Sequence, residues 1–224
     1  MPIFRDYAAA IAPVIDAVHV NVHAATCGAD RSGLLVDLRY VLPLRPVPRA
    51  RLRTVYRYGT APDLHAEIGR HLAQDTLVER DGVLSASAAG RAAIDALYAA
   101  HASAVTRIWP DVSDLAALAG EVLAAAPRVP GGALEVMAPP YEPDGVPPGV
   151  LLFNRLAALR YHRGDAHARA WQAEGLSAAE VVRLHAGPLW RTIETATDEG
   201  AAVPYRGLDE RRRTALYDGL RALV

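Results

Sequence analysis

The sequence predicts a mainly α-helical protein with short β-strands. Apolar residues recur at helical spacing through most of the chain, and two short apolar runs flank one tight turn. A stretch rich in proline and glycine separates two helical halves. With 224 residues, the chain can bury a substantial core in two small domains or one large domain.

Composition narrows the class of protein. The net charge of -1 argues against a strongly basic, nucleic-acid-binding surface over the whole chain. One cysteine, Cys27, excludes an intramolecular disulfide and a cysteine-rich zinc site, and we interpret it as core filler. Arg5, Asp6 and Asp16 interrupt the apolar N-terminus, and we find no stretch of roughly 18 uncharged residues. We therefore expect a soluble, cytoplasmic protein without a membrane partner.

Residues 5–25 are predicted to form a helix with one apolar stripe, in which Pro13 marks a kink or a late start. His19 and His23 are four residues apart on this helix, a spacing that would suit two metal ligands. No third ligand is apparent nearby, so we favour histidines at the edge of a packed helix. Residues 33–44 fit a strand or a short helix, and Pro48 favours a short helix after it.

The pattern is clearest in residues 62–104. It predicts a helix of about a dozen residues, a strand at 76–79, a tight turn at Asp81-Gly82, a strand at 83–85 and a second helix. Helix, two-stranded wing and helix is the order of a winged helix. The passage "LVERDGVLSASAAGRAAIDAL" resembles the wing and following helix of MarR-type winged-helix proteins.

Residues 127–149 hold seven prolines and four glycines, which excludes a long helix and predicts a linker with a short strand at 133–137. Helices resume at Pro148. Ser177 and Glu180 form a capping-box pattern, and Gly187-Pro188 ends that short helix and precedes another, as in a helix-turn-helix. A last helix is predicted at 208–223. The expected domains are thus 1–126, a linker at 127–149, and 150–224.

Two signatures in the second half resemble the SalK-like winged-helix proteins of actinobacteria. They are "LRYHRGDAHARAWQAEGLSAAE" and "IETATDEGAAVPYRGL", which together cover about a quarter of the chain. The connection between them is shorter here than is general in that family. The resemblance implies two paired winged-helix units. It also implies a role as either a regulator or a biosynthetic protein, since the family is described in both ways.

The first signature concentrates charge on a helix that is otherwise apolar. At 100° per residue, Arg160, Arg163 and His167 fall in the apolar sector, whereas Asp165 points to the opposite side, within reach of Arg169. Burying guanidinium groups without partners costs several kcal/mol, so an acid or anion must meet them. Two acids, four residues apart beside Trp190, are suited to this. We predict that Arg163 and His167 face these two residues, Glu194 and Asp198.

Three interpretations of this cluster stay open. It could be a structural ion-pair lattice, a metal site of His167 with Glu194 and Asp198, or a pocket. In a pocket, His167 would exchange protons while a carboxylate orients it, and Arg160 or Arg163 would hold a substrate oxygen. In this pocket interpretation Trp171 and Trp190 would complete the substrate-binding wall, and the chemistry would need neither a cofactor nor a metal.

Gly164 lies in the middle of this helix, where glycine costs about 1 kcal/mol relative to alanine. A small residue at such a position indicates close approach by another backbone or by a ligand.

The predicted groove-entering helix and wing carry few positive charges for DNA phosphates. The helix over 62–75 holds three acids against Arg70 alone, although the segment at 48–59 adds a basic patch of Arg49, Arg51, Arg53 and Arg57.

We therefore predict a small-molecule tailoring enzyme of natural-product biosynthesis that uses cofactor-independent acid/base chemistry in a pocket between the winged-helix units. The alternatives are a MarR-like, ligand-responsive regulator and a ligand-sequestering resistance protein. We also expect a homodimer.

Overall fold

A computed structural model describes residues 2–26 and 33–224, and it is 69% helix and 5% strand. The expected class, mainly α with short β-strands, is confirmed. The helices of the described residues are α1 (Pro2–Ala25), α2 (Leu34–Leu38), α3 (Leu52–Val55), α4 (Ala61–Ala73), α5 (Ala88–Ile108), α6 (Ser113–Ala125), α7 (Ala133–Met137), α8 (Pro148–Ala173), α9 (Ala178–Val182), α10 (Pro188–Ala201) and α11 (Glu210–Arg221). Cys27, interpreted above as core filler, lies outside the described residues.

Helix α1 begins earlier than expected and passes through Pro13 without ending. Its apolar stripe is buried at Ala8, Ile11, Ile15, Val18 and Val22. Despite Asp16, the stretch Ile3–Ala25 is long and apolar enough to cross a membrane, which we had not expected from the sequence. Length and composition alone do not distinguish a membrane span from an apolar core helix.

The strands form one antiparallel sheet in the order β1 (Val47–Pro48), β3 (Val83–Ala86), β2 (Leu77–Arg80). The predicted hairpin is confirmed, and its turn residues Asp81 and Gly82 both have positive φ angles, 50° and 73°. Positive φ at both central residues gives the twist that matches paired strands. The third strand, β1, was not predicted. A strand of two residues is too short to show the alternation of apolar and polar residues that indicates a strand.

The proline-rich segment packs into the core. Residues 133–137 form helix α7, so the predicted strand is wrong. The helix is favoured by a contact distant in sequence, since the backbone N–H groups of Ala133 and Leu134 donate to the Asp165 carboxylate at 2.8 and 2.9 Å. Leu134 and Met137 belong to one hydrophobic cluster with buried residues of α1 to α8, α10 and α11. All three predicted segments of the chain therefore share this core.

Asp165 also forms an ion pair with Arg57, and its side chain is 5% exposed. The expected partner was Arg169, four residues further along the helix. The structure instead turns the carboxylate toward α7 and the end of α3. Gly132 completes this contact, because a Cβ there would lie 2.6 Å from Asp165 Oδ2.

The C-terminal helices match the local signals in the sequence. Ser177 and Glu180 form the predicted capping box at the start of α9. Pro188 occupies the first turn of α10, directly after Gly187. Helix α11 buries Leu216 and Leu220 against the rest of the core. These elements bring α10 alongside α8, where the predicted site lies.

We expect Asp165→Asn to lower the free energy of unfolding by about 3 kcal/mol or more, because it leaves the buried Arg57 guanidinium without its charge partner. Urea unfolding followed by circular dichroism measures this change. The exposed Asp144→Asn variant is the matched control and should unfold like the wild type. Equal stability of the two variants would show that Asp165 does not anchor the fold.

Stability should also fall in mild acid. The pKa of His162, which is 2% exposed, is lowered to about 4 by burial and, to a smaller extent, by the Arg169 charge, while Asp165 opposes the shift. Between pH 6.5 and 4 the unfolded chain therefore binds a proton that the folded chain does not, so stability is lost as the pH falls. In His162→Gln the pH slope of the unfolding free energy should be smaller by up to about 1.4 kcal/mol per pH unit. The exposed His185→Gln variant should keep the wild-type slope.

Candidate functional site

Arg163 of α8 connects the two acids of α10. Its guanidinium donates to Asp198 Oδ1 at 2.6 Å and to Glu194 Oε2 at 3.4 Å. His167, one turn further along α8, places Nε2 3.9 Å from Glu194 Oε1. The contacts predicted from the helical spacing are thus confirmed. The four side chains are half-buried and lie on the wall of a cavity or at its edge, outside the apolar core.

A tyrosine that the sequence did not indicate completes the cluster. Tyr58 Oη lies 2.6 Å from His167 Nδ1, and Trp171 Nε1 donates to the same hydroxyl at 3.4 Å. The indole nitrogen is only a donor, so the Tyr58 oxygen accepts its hydrogen bond. The direction of the Tyr58–His167 hydrogen bond depends on the imidazole tautomer. When Tyr58 donates to Nδ1, the neutral imidazole carries its proton on Nε2, the nitrogen nearest to Glu194. No periodic pattern links residue 58 to residue 167, so contact between them was not predictable from the sequence.

The surroundings shift the protonation of this cluster. Burial lowers the pKa of His167, and the charges of Arg163 and Arg57 lower it further, which favours a neutral imidazole. Burial raises the pKa of Glu194, and Asp198 adds to that shift while Arg163 opposes it. The neutral imidazole therefore lies beside a carboxylate that is more basic than usual. The gap of 3.9 Å between them is too long for a direct hydrogen bond.

Four residues of this cluster, Tyr58, Arg163, His167 and Glu194, line a cavity of about 290 Å³ between α1, α8 and α10. Ala8 and Ile15 of α1 supply an apolar wall opposite the polar one. Thr197 of α10 and Tyr205 also line the cavity. The volume suits a small molecule, and the pairing of an apolar wall with a few convergent polar groups is typical of ligand sites.

The other predicted site residues lie at different distances from this cavity. Arg160 lines it, but its side chain is 43% exposed and its Nε donates to Asp16 at 2.7 Å. Trp171 is buried behind Tyr58 and contacts the cavity only through that residue. Trp190 is 41% exposed on α10 and is not among the lining residues. Gly164 lines the cavity, and a Cβ there would meet no atom within 4 Å, so no other backbone approaches it.

The histidine pair of α1 packs as an edge of that helix. His19 stacks on Phe153 with ring centroids 4.9 Å apart, and its Nε2 lies 3.1 Å from that of His23. Burial lowers the pKa of His19 to about 2 and of His23 to about 4, and the Arg160 charge contributes to both shifts. Among residues 2–26 and 33–224, no three His, Cys, Asp or Glu side chains converge as a metal site would require.

Comparisons with known proteins identify no family. No protein-family model matches the chain, and neither a curated protein nor a solved structure shows significant similarity to it. The resemblance to the SalK-like proteins therefore stays a prediction from the two sequence signatures.

Replacing Arg163 should move the titration of His167. In Arg163→Gln we expect the pKa of His167 to rise toward its ordinary value, because a neighbouring positive charge is removed. NMR titration of the imidazole Cε1–H signals measures this shift.

Arg160→Gln is the matched control for this experiment. It should leave the pKa of His167 unchanged while raising those of His19 and His23, which Arg160 lowers. Equal His167 titrations in both variants would contradict the electrostatic role of Arg163.

Proposed function

We propose that this chain is a small-molecule enzyme that moves protons on an anionic substrate with its own side chains. The reaction class is isomerisation, epimerisation, cyclisation or elimination. In each of them a base removes a proton from the substrate and an acid returns one: to a different atom in isomerisation and cyclisation, to the opposite face of the same carbon in epimerisation, and to the leaving group in elimination. The resemblance to SalK-like proteins adds natural-product biosynthesis as the context. In this proposal two winged-helix units serve as scaffolds around the site. The first consists of the hairpin and its flanking helices, and the second contains α9 and α10.

One observation carries the proposal. A neutral imidazole and a basic carboxylate lie 3.9 Å apart on the wall of a cavity of about 290 Å³. A general base works best when its pKa lies near the working pH, and the upward shift moves the pKa of Glu194 toward that range. The downward shift in the pKa of His167 keeps its imidazole neutral. A purely structural ion-pair lattice would need neither the cavity nor a tyrosine that orients the imidazole.

The geometry suggests a role for each residue. Tyr58 holds His167 through Nδ1, so that Nε2–H is presented to a substrate atom. Glu194 accepts the proton removed from the substrate carbon and returns it at the second position. The Nε2 proton of His167 passes to the oxygen on which negative charge develops and returns to His167 when the carbonyl group forms again. Proton transfer by a positioned side chain typically contributes 10²- to 10⁴-fold to the rate.

Arg163 provides the site for negative charge. Its contact with Asp198 is short, at 2.6 Å, whereas its contact with Glu194 is long, at 3.4 Å. Asp198 therefore fixes the guanidinium, and the second N–H is available to a developing enolate or carboxylate oxygen.

Ion pairing within the basic patch favours an enzyme over a DNA-binding regulator. Arg49 pairs with Glu79, Arg51 with Glu135, and Arg57 with Asp165. Three of the four arginines predicted to face phosphates are thus neutralised by acids of the chain itself. Phosphate binding needs unpaired Lys or Arg side chains on that face.

Homodimer formation stays a prediction, which analytical ultracentrifugation can check.

Glu194→Gln and His167→Asn should each slow proton transfer by about 100-fold or more, because each removes one exchanging group. Catalysed exchange of the α-protons of acetoacetate and phenylpyruvate in D₂O, followed by NMR and corrected for the buffer rate, provides the assay. Glu199→Gln, at an exposed position of α10, is the matched control and should keep the wild-type rate. Wild-type rates in both site variants would remove these residues from catalysis.

A further inference from the structure

A second cavity, of about 260 Å³, adjoins the proposed catalytic cavity. Tyr58, Arg160 and Gly164 line both cavities, so the two lie side by side along α8 and are called lobes below. The reacting lobe contains His167 and Glu194. The other, called the tyrosine lobe below, is lined by side chains that the proposed reaction does not use, among them Tyr40, Tyr56, Tyr161, His19 and Asp37.

Gly164 lies where the lobes meet. It is inside helix α8, where alanine would be more stable, and a Cβ at this position would meet no atom within 4 Å. Packing against another element therefore does not explain the glycine. A side chain here would extend into open space beside both cavities, so the glycine leaves room for a ligand that reaches from one lobe to the other.

The residues that line the tyrosine lobe suit a ring that carries hydroxyl groups. Aromatic side chains pack well against the faces and edges of other rings. Tyr56 donates to Asp37 Oδ2 at 2.8 Å, and the buried Arg39 donates to the Tyr40 hydroxyl, which holds both phenols in place. The carboxylate of Asp37 has acceptor capacity beyond this one bond, so it can accept a hydrogen bond from a ligand hydroxyl.

We propose that one ligand spans both lobes, with its anionic, reacting end at Arg163 and His167 and a hydroxyl-bearing aromatic ring in the tyrosine lobe. The placement of the reacting end rests on the proposed function. The ring would supply binding energy at a distance from the reacting atoms, and it would select aryl substrates over aliphatic ones.

Isothermal titration calorimetry with three carboxylates tests this inference: 4-hydroxycinnamate, cinnamate without the hydroxyl, and crotonate without the ring. We expect affinity to decrease in that order, with crotonate at least 10-fold weaker than 4-hydroxycinnamate. Gly164→Leu should weaken 4-hydroxycinnamate at least 10-fold more than it weakens crotonate. Gly164→Ala should raise the melting temperature by a few degrees and weaken the ring-bearing probes less strongly.

Gly69→Ala is the matched control, because Gly69 is exposed in the interior of α4 and its Cβ would also meet no atom within 4 Å. It should raise the melting temperature without changing any affinity. Equal binding of 4-hydroxycinnamate and crotonate, or unchanged binding of 4-hydroxycinnamate by Gly164→Leu, would overturn the inference.

The proposed function can fail or survive separately from this inference. Either overturning result leaves the proton-exchange assay on Glu194→Gln as the test of the chemistry. Ring-dependent binding that Gly164→Leu abolishes would support a ligand that spans both lobes even if that assay removed Glu194 from catalysis.

Discussion

The Asp165 carboxylate is the interaction on which the rest of the site depends. It receives two backbone N–H groups from α7 and the guanidinium of Arg57, and it is almost fully buried. A buried carboxylate is tolerated only when its acceptors are used, and here three donors from two separate segments use them. One side chain of α8 thereby fixes the proline-rich segment and the residues after α3 against the same helix.

This anchoring explains why Tyr58 can serve the site. Arg57 is the neighbour of Tyr58 in sequence. The ion pair of Arg57 with Asp165 on one side of α8 therefore places the Tyr58 phenol beside His167 on another side of the same helix. Helix α8 thus carries the anchor and the reactive groups on different faces. The apolar stripe of α1 and the acids of α10 close the cavity around the reactive face.

Periodicity and capping made part of this structure predictable. The hairpin, the Ser177 capping box and the approach of Arg163 to Glu194 and Asp198 all follow from spacings within one element or from the cost of burying charge. The conformation of α7 did not follow, because its start is capped by an aspartate about thirty residues away. The contact of Tyr58 with His167 could not be predicted either, since an exposed tyrosine in an arginine-rich turn belongs to no sequence pattern that indicates a site. The families of known proteins add no information on these points, as none matches.

The sheet has a consequence for the behaviour of the chain in solution. Its outer strand β1 is only two residues long and contains Pro48, which has no N–H to offer to another strand. The opposite edge strand, β2, is four residues long and ends in Arg80. Short edges that carry a proline or a charge are poor templates for intermolecular strand pairing. The hairpin can therefore remain at the surface without nucleating aggregation, even at the high concentrations that calorimetry and crystallisation require.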